Sequence, residues 1–121
     1  MALLLKARAG DLAGMETLLD EGSYIDETDD DGNTALLLAV QSNNKRAVKF
    51  LLRRGASIDV ANLRGHTALH FCYALRYREL GDYLISKGAD STLLNADGLT
   101  PYEGTQLHQT GDERLGYFTR T

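Results

Sequence analysis

Asn62-Leu63-Arg64-Gly65-His66-Thr67-Ala68-Leu69-His70 is a stretch that the chain repeats. Thirty-three residues earlier, Asp29 to Leu37 reads Asp-Asp-Asp-Gly-Asn-Thr-Ala-Leu-Leu, and thirty-three residues later, Asn95 to Glu103 reads Asn-Ala-Asp-Gly-Leu-Thr-Pro-Tyr-Glu. Glycines therefore fall at 32, 65 and 98 and threonines at 34, 67 and 100. A second register keeps the same step: Leu19-Asp20-Glu21-Gly22, Leu52-Arg53-Arg54-Gly55 and Ile85-Ser86-Lys87-Gly88. Two independent markers at one constant spacing are hard to obtain by chance, and a fixed period of this size is the mark of a stacked-repeat architecture.

Gly65-His66-Thr67-Ala68-Leu69-His70, followed by Leu84-Ile85-Ser86-Lys87-Gly88-Ala89-Asp90, resembles an ankyrin repeat. The resemblance covers residues 1 to 103, although the Pro of the family's Thr-Pro-Leu-His signature survives only at Pro101. It implies an all-α solenoid of helix-turn-helix units with protruding turn or hairpin fingers. The expected organisation is a single domain over residues 1–121. It comprises a partial N-terminal repeat (1–28), repeats at 29–61 and 62–94, and a C-terminal capping repeat (95–121).

The residues support that plan unit by unit. In the first, Leu3, Leu4 and Ala7 give one apolar stripe, Gly10-Asp11 interrupts it, and Met15, Leu18 and Leu19 give another that Gly22 ends. In the second, Asp31-Gly32-Asn33 is turn chemistry and Thr34 is a helix N-cap. The run Leu36 to Val40 is apolar over most of its circumference, as suits a helix held between neighbours. After the turn at Asn43-Asn44, the spacing predicts Val48, Leu51 and Leu52 inward, Phe50 at the edge, and Lys45, Arg46, Lys49, Arg53 and Arg54 outward. The third unit repeats this from Thr67, with Leu80, Leu84 and Ile85 inward. The fourth starts faithfully at Thr100-Pro101-Tyr102-Glu103, then loses the pattern at Gly104, Thr105 and Gln106; Leu115, Tyr117 and Phe118 suggest a short capping helix. One such unit cannot bury its apolar face alone, so stability is the sum of unit and nearest-neighbour terms.

Composition narrows the function. With 43% apolar and 25% charged residues the chain is of globular type. A net charge of −4 argues against nucleic-acid binding through bulk charge. No apolar run approaches the length of a membrane span, and Lys6 and Arg8 follow Leu3-Leu4-Leu5, the wrong order for a signal peptide. The single cysteine, Cys72, has no internal partner, which points to a reducing, cytoplasmic compartment.

No constellation supports catalysis or a cofactor. Glu27, Asp29, Asp31 and Gly32 imitate part of a calcium loop, but Leu38 stands where the last, bidentate Glu is required. The acidic run Asp26 to Asp31 then reads as a solvated turn or as an attraction for a basic partner. No zinc site is expected among His66, His70, Cys72 and His108, and neither phosphate-loop pattern occurs. Cys72 reads as a small buried filler. The family resemblance implies that His70 bonds the backbone and Thr67 of its own repeat and fixes the turn.

What remains is recognition. Ankyrin-like arrays bind proteins on their concave side, through turn tips and the exposed side of the first helix of each pair. Carried over, the resemblance implies a partner surface of Asp30, Asp31, Asn33, Gln41 and Ser42, then Leu63, Arg64, His66, Ala74 and Leu75, then Leu94, Ala96, Asp97 and Leu99. Leu63, Leu75, Leu94 and Leu99 would place apolar groups where turns are ordinarily polar. The expectation is a non-catalytic protein-interaction module, a monomer or one subunit of a larger assembly. One alternative uses the basic helix (Lys45, Arg46, Lys49, Arg53, with Arg78) to hold phosphorylated or nucleic-acid ligands. Another makes the chain a regulatory or scaffold segment of a larger enzyme or assembly.

Overall fold

A computed structural model of the chain describes residues 2–104. Six helices follow one another: α1 (Ala2–Ala9), α2 (Leu12–Asp20), α3 (Ala35–Gln41), α4 (Lys45–Arg53), α5 (Ala68–Leu75) and α6 (Arg78–Ser86). A further helical turn covers 101–104, and the described residues contain no strand. The expected capping helix at Leu115–Phe118 lies outside the described residues. The helices pack as pairs, α1 with α2, α3 with α4 and α5 with α6, and the pairs join through contacts of α1 with α3 and α3 with α5. The result is an all-helical solenoid.

Local chemistry sets the helix starts. The hydroxyl of Thr34 accepts from the N–H of Leu37, and that of Thr67 from the N–H of His70. At the second helix of each pair, Asp11 caps Gly14 and Asn44 caps Ala47. The third pair departs from this rule: Tyr77 occupies the cap position of α6 without a side-chain cap bond, and its hydroxyl instead donates to the Gln41 carbonyl at 3.2 Å. The residue before each cap has positive φ, being Gly10, Asn43 and Arg76 in turn. Arg76 adopts φ 65°, a conformation that Asn tolerates better than long side chains.

The core runs through the middle layer. Leu36, Leu37, Ala39 and Val40 are fully enclosed, as the apolar circumference of α3 predicts. Val48, Leu51, Leu80 and Leu84 line the second-helix side, and Leu3, Leu4, Ala7 and Met15 close the first pair. Leu52 and Phe50 are half-buried against this cluster. Ile85 was expected inward and is exposed. It lies one residue beyond the buried Leu84, which turns it about 100° round the helix and off the packed stripe.

Between the helix pairs, each finger is a hydrogen-bonded turn. Asp29, Asn62 and Asn95 donate their backbone N–H to the carbonyl four residues on, at Asn33, His66 and Leu99. The fingers also bond to each other: Leu63 N–H donates to Asp31 at 3.0 Å and Ala96 N–H to Arg64 at 2.8 Å. Glycine is required where this approach is closest. A Cβ on Gly32 would lie 2.7 Å from Leu63 N, and one on Gly65 would lie 2.6 Å from Ala96 N, both inside contact distance. Gly98 shares the positive φ but has nothing within 4 Å of such a Cβ.

Gly98→Ala should therefore cost only the left-handed backbone penalty, about 1 kcal/mol. Gly65→Ala carries the same penalty and a backbone collision that breaks the Ala96–Arg64 bond, so its loss should exceed that of Gly98→Ala by about 2 kcal/mol or more. Urea unfolding of the two variants checks this, and equal losses would refute the role given to finger contact.

Candidate functional site: the finger row

A polar ladder holds the fingers in register. The Oδ1 of Asp29 accepts the N–H groups of Asp31 and Asn33; Asn62 does the same for Arg64 and His66, and Asn95 for Asp97 and Leu99. The two asparagines also have an amide to give. Asn62 Nδ2 donates to Asn33 Oδ1 at 3.0 Å, and Asn95 Nδ2 lies 3.4 Å from His66 Nδ1. Asn33 Oδ1 additionally accepts Gln41 Nε2 at 3.4 Å, which ties the finger to the end of α3. Asp29 heads the first finger with a carboxylate, and Arg8 from α1 sits 3.8 Å from it. In the segments that lead from the second helix of each pair toward the next finger, a second row repeats the device: Asp26 accepts from Ser57 N–H at 3.2 Å and Asp59 from Asp90 N–H at 2.9 Å.

His70 closes the middle finger, as its resemblance to the family histidine implies. Its Nε2 lies 2.9 Å from the Leu99 carbonyl, which only accepts, so Nε2 carries the proton and Nδ1 is an acceptor. Nδ1 receives the N–H of Thr67 at 3.1 Å and faces the Thr67 hydroxyl at 2.9 Å, completing a capping box. In the next unit Glu103 reaches back to the Thr100 N–H in the same way, so His70 fills a place that an acid takes elsewhere in the chain. The bond to Leu99 goes further than the sequence indicated, because it fixes the third finger to the start of α5 in the third pair. Burial pushes the His70 pKa below its ordinary 6.5, and the Leu99 carbonyl opposes that only partly.

The residues expected on the partner surface divide into two groups. Asp30, Asp31, Arg64 and Asp97 are exposed, as are Ser42 and Ala96, and Leu63 and Leu94 are the most exposed leucines among them at 76% and 60%. Gln41, Leu75 and Leu99 are half-buried, and Leu75 packs against the core. Asn33, His66 and Ala74 are buried, which corrects the expectation that they face outward. Asn33 and His66 are the fifth residues of their fingers, and there the chain turns under the finger that follows. His66 is 2% exposed, 5.7 Å from the His70 ring and edge-on to Phe71 at 5.6 Å. Sequence reading treated every turn residue as outward.

Corresponding tips form two short rows, Asp30–Leu63–Ala96 and Asp31–Arg64–Asp97. The first turns from acidic to apolar and the second alternates in charge. Nothing in this arrangement activates a nucleophile. Cys72 is buried and its pKa is pushed up to about 12 by desolvation, so it stays a protonated packing group at neutral pH.

An all-helical stack of paired helices with bonded fingers defines a repeat solenoid. The particular family follows from comparison with known proteins. The family described as "Ankyrin repeats (3 copies)" matches residues 3–95, and the chain belongs to it. Among solved structures, the crystal structure of the ankyrin repeat domain of Bcl-3, a unique member of the IkappaB protein family, is similar with a TM-score of 0.80 and 30% identity. That likeness covers 84% of this chain and 45% of the Bcl-3 chain, so the present chain spans less than half of that structure. No curated protein matches at the same stringency. Among the described residues, no helix is long and apolar enough to cross a membrane.

Two outcomes follow. The folded state holds His70 neutral while the unfolded chain takes up a proton near 6.5, so this stability is full above that pH and is lost as pH falls. Urea midpoints should drop between about pH 7.5 and about pH 5.5, and His70→Gln should flatten the drop; an unchanged slope in that variant would remove His70 as its source. A thiol-specific colorimetric reagent should leave native Cys72 unmodified and label it fully in denaturant, whereas rapid native labelling would contradict its burial.

Proposed function

We propose that the chain is a non-catalytic protein-interaction module, that residues 1–121 form one domain, and that a partner protein docks on the finger row. Binding to other proteins is the general role of the ankyrin family; the surface is our reading. One observation carries it: Leu63 stands 76% exposed at the tip of the middle finger. Its backbone is held by a bond to Asp31 and by the Asn62 turn, so the side chain is presented at little ordering cost. A large apolar group on a rigid support suits the centre of an interface, and Asp30, Asp31, Arg64 and Asp97 supply a charged rim around it. Leu94, also exposed, extends the apolar part toward the third finger. The mixed charge favours a partner with an apolar patch bordered by basic groups facing Asp30 and Asp31. The buried free thiol of Cys72 accords with a reducing, cytoplasmic setting.

Leu63→Asp combined with Leu94→Asp should weaken partner capture by at least about thirtyfold, the scale of a lost hot spot. Both side chains are exposed, so the stability change should stay within about 0.5 kcal/mol per site. Capture from source-cell lysate on immobilised wild-type and variant chains, quantified by mass spectrometry, measures the first, and thermal melting the second. Recovery of the same proteins in the same amounts by the variant would exclude the finger row as the docking surface.

A further inference from the structure

Across the outer helices, three lysines converge on one tyrosine. The ammonium groups of Lys45 and Lys49 on α4 and of Lys87 just beyond α6 lie 5.5, 5.4 and 5.7 Å from the ring centre of Tyr83 on α6. Each distance is within the reach of a cation–π attraction, but one ring offsets only a fraction of three positive charges. Carboxylates do not complete the balance. The side-chain ion pairs among the described residues join Lys6 to Asp11, Arg8 to Asp29 and Arg54 to Asp20, and none involves these lysines. The acids of α6 itself, Glu79 and Asp82, and Asp90 three residues beyond Lys87, make no ion pair with them within 4 Å; Asp90 accepts from Thr92 instead. Beside Lys45 a cleft of about 440 Å³ opens, lined by Asn43, Arg76, Tyr77, Arg78 and Glu79; the two arginines extend the positive charge along the face and Glu79 offsets one of them.

We propose that this face binds a phosphate monoester carried on a peptide segment of a partner protein, independently of the finger row. The phosphate bridges the Lys45, Lys49 and Lys87 ammoniums on their solvent side, away from the electron-rich Tyr83 face that gathers them, and the peptide runs along the cleft past Arg76 and Arg78. The donor chemistry favours phosphate over carboxylate. Lysine ammoniums act as point charges, so the anion with more charge in one place gains most from three of them, and a phosphate monoester brings about −1.5 to −2 where a carboxylate brings one. The extent of the patch favours one such group over a polyanion. It covers part of one face, whereas the whole chain is at −4 and the run Asp29 to Asp31 repels a long phosphate backbone.

The test is fluorescence anisotropy at low salt with the full chain and a dye-labelled short peptide, uncharged apart from one phosphoserine, beside its serine counterpart. The phosphopeptide should bind at least about tenfold more tightly than the serine peptide, and Lys45→Gln, Lys49→Gln and Lys87→Gln together should erase that difference. Leu63→Asp should leave it intact, which separates this face from the finger row. Should the triple variant melt lower than wild type, Lys87→Gln alone decides, because that residue is exposed and beyond the helix; its expected loss is about threefold. Equal binding of the two peptides, or unchanged binding by the lysine variants, would overturn the proposal. So would tighter binding of a short single-stranded RNA through the same lysines, since that marks a polyanion surface.

Discussion

Asn62 spends one side chain on two fingers. Its oxygen gathers two N–H groups of its own turn, and its amide donates to Asn33 of the finger before it. Asn95 repeats both halves of the arrangement, with the ring of His66 as the neighbour. Helix propensity alone would not assemble this molecule: α1 to α6 are all shorter than ten residues, below the length at which isolated helices persist in water. Each gains its stability from the stripe it buries against neighbours, and the asparagine ladder sets the spacing at which those stripes meet. The 33-residue period is thus a mechanical requirement, because an insertion between Asn33 and Asn62 displaces a bond that both fingers need.

The fold was legible because that requirement writes itself into residue types. Glycine at 32 and 65 answers a close approach of the next finger, threonine at 34 and 67 answers an N-cap, and the apolar run of α3 answers burial on several sides. Periodicity placed Leu3, Leu4 and Ala7 correctly. Ile85 was misplaced because a helical stripe has edges, and one step past Leu84 already leaves it.

The surface was less legible, for a physical reason. Turn chemistry reports backbone conformation, and it does not distinguish a residue at the tip from one that dips beneath the following finger. Leu63 and His66 lie three positions apart in one turn, yet one is largely exposed and the other enclosed. The cation cluster was visible only in half. Spacing placed Lys45 and Lys49 on one side of α4, while Tyr83 and Lys87 belong to the next unit, and the way two outer helices face each other is not encoded in either alone.

The backbone bonds between fingers all point one way. Leu63 and Ala96 give their N–H groups to the finger before, and Asp31 and Arg64 offer carbonyls to the finger after. The side chains reinforce this, since Asp29 has an acceptor but no amide to direct backward, whereas Asn62 and Asn95 do. The row of fingers is therefore a vector. Any turn that joined it past Asp97 would have to arrive with a donor, and any that joined it ahead of Asp29 with an acceptor. Two such rows are compatible head to tail and mismatched head to head, so handed growth is built into the backbone whatever the side chains at the tips recognise.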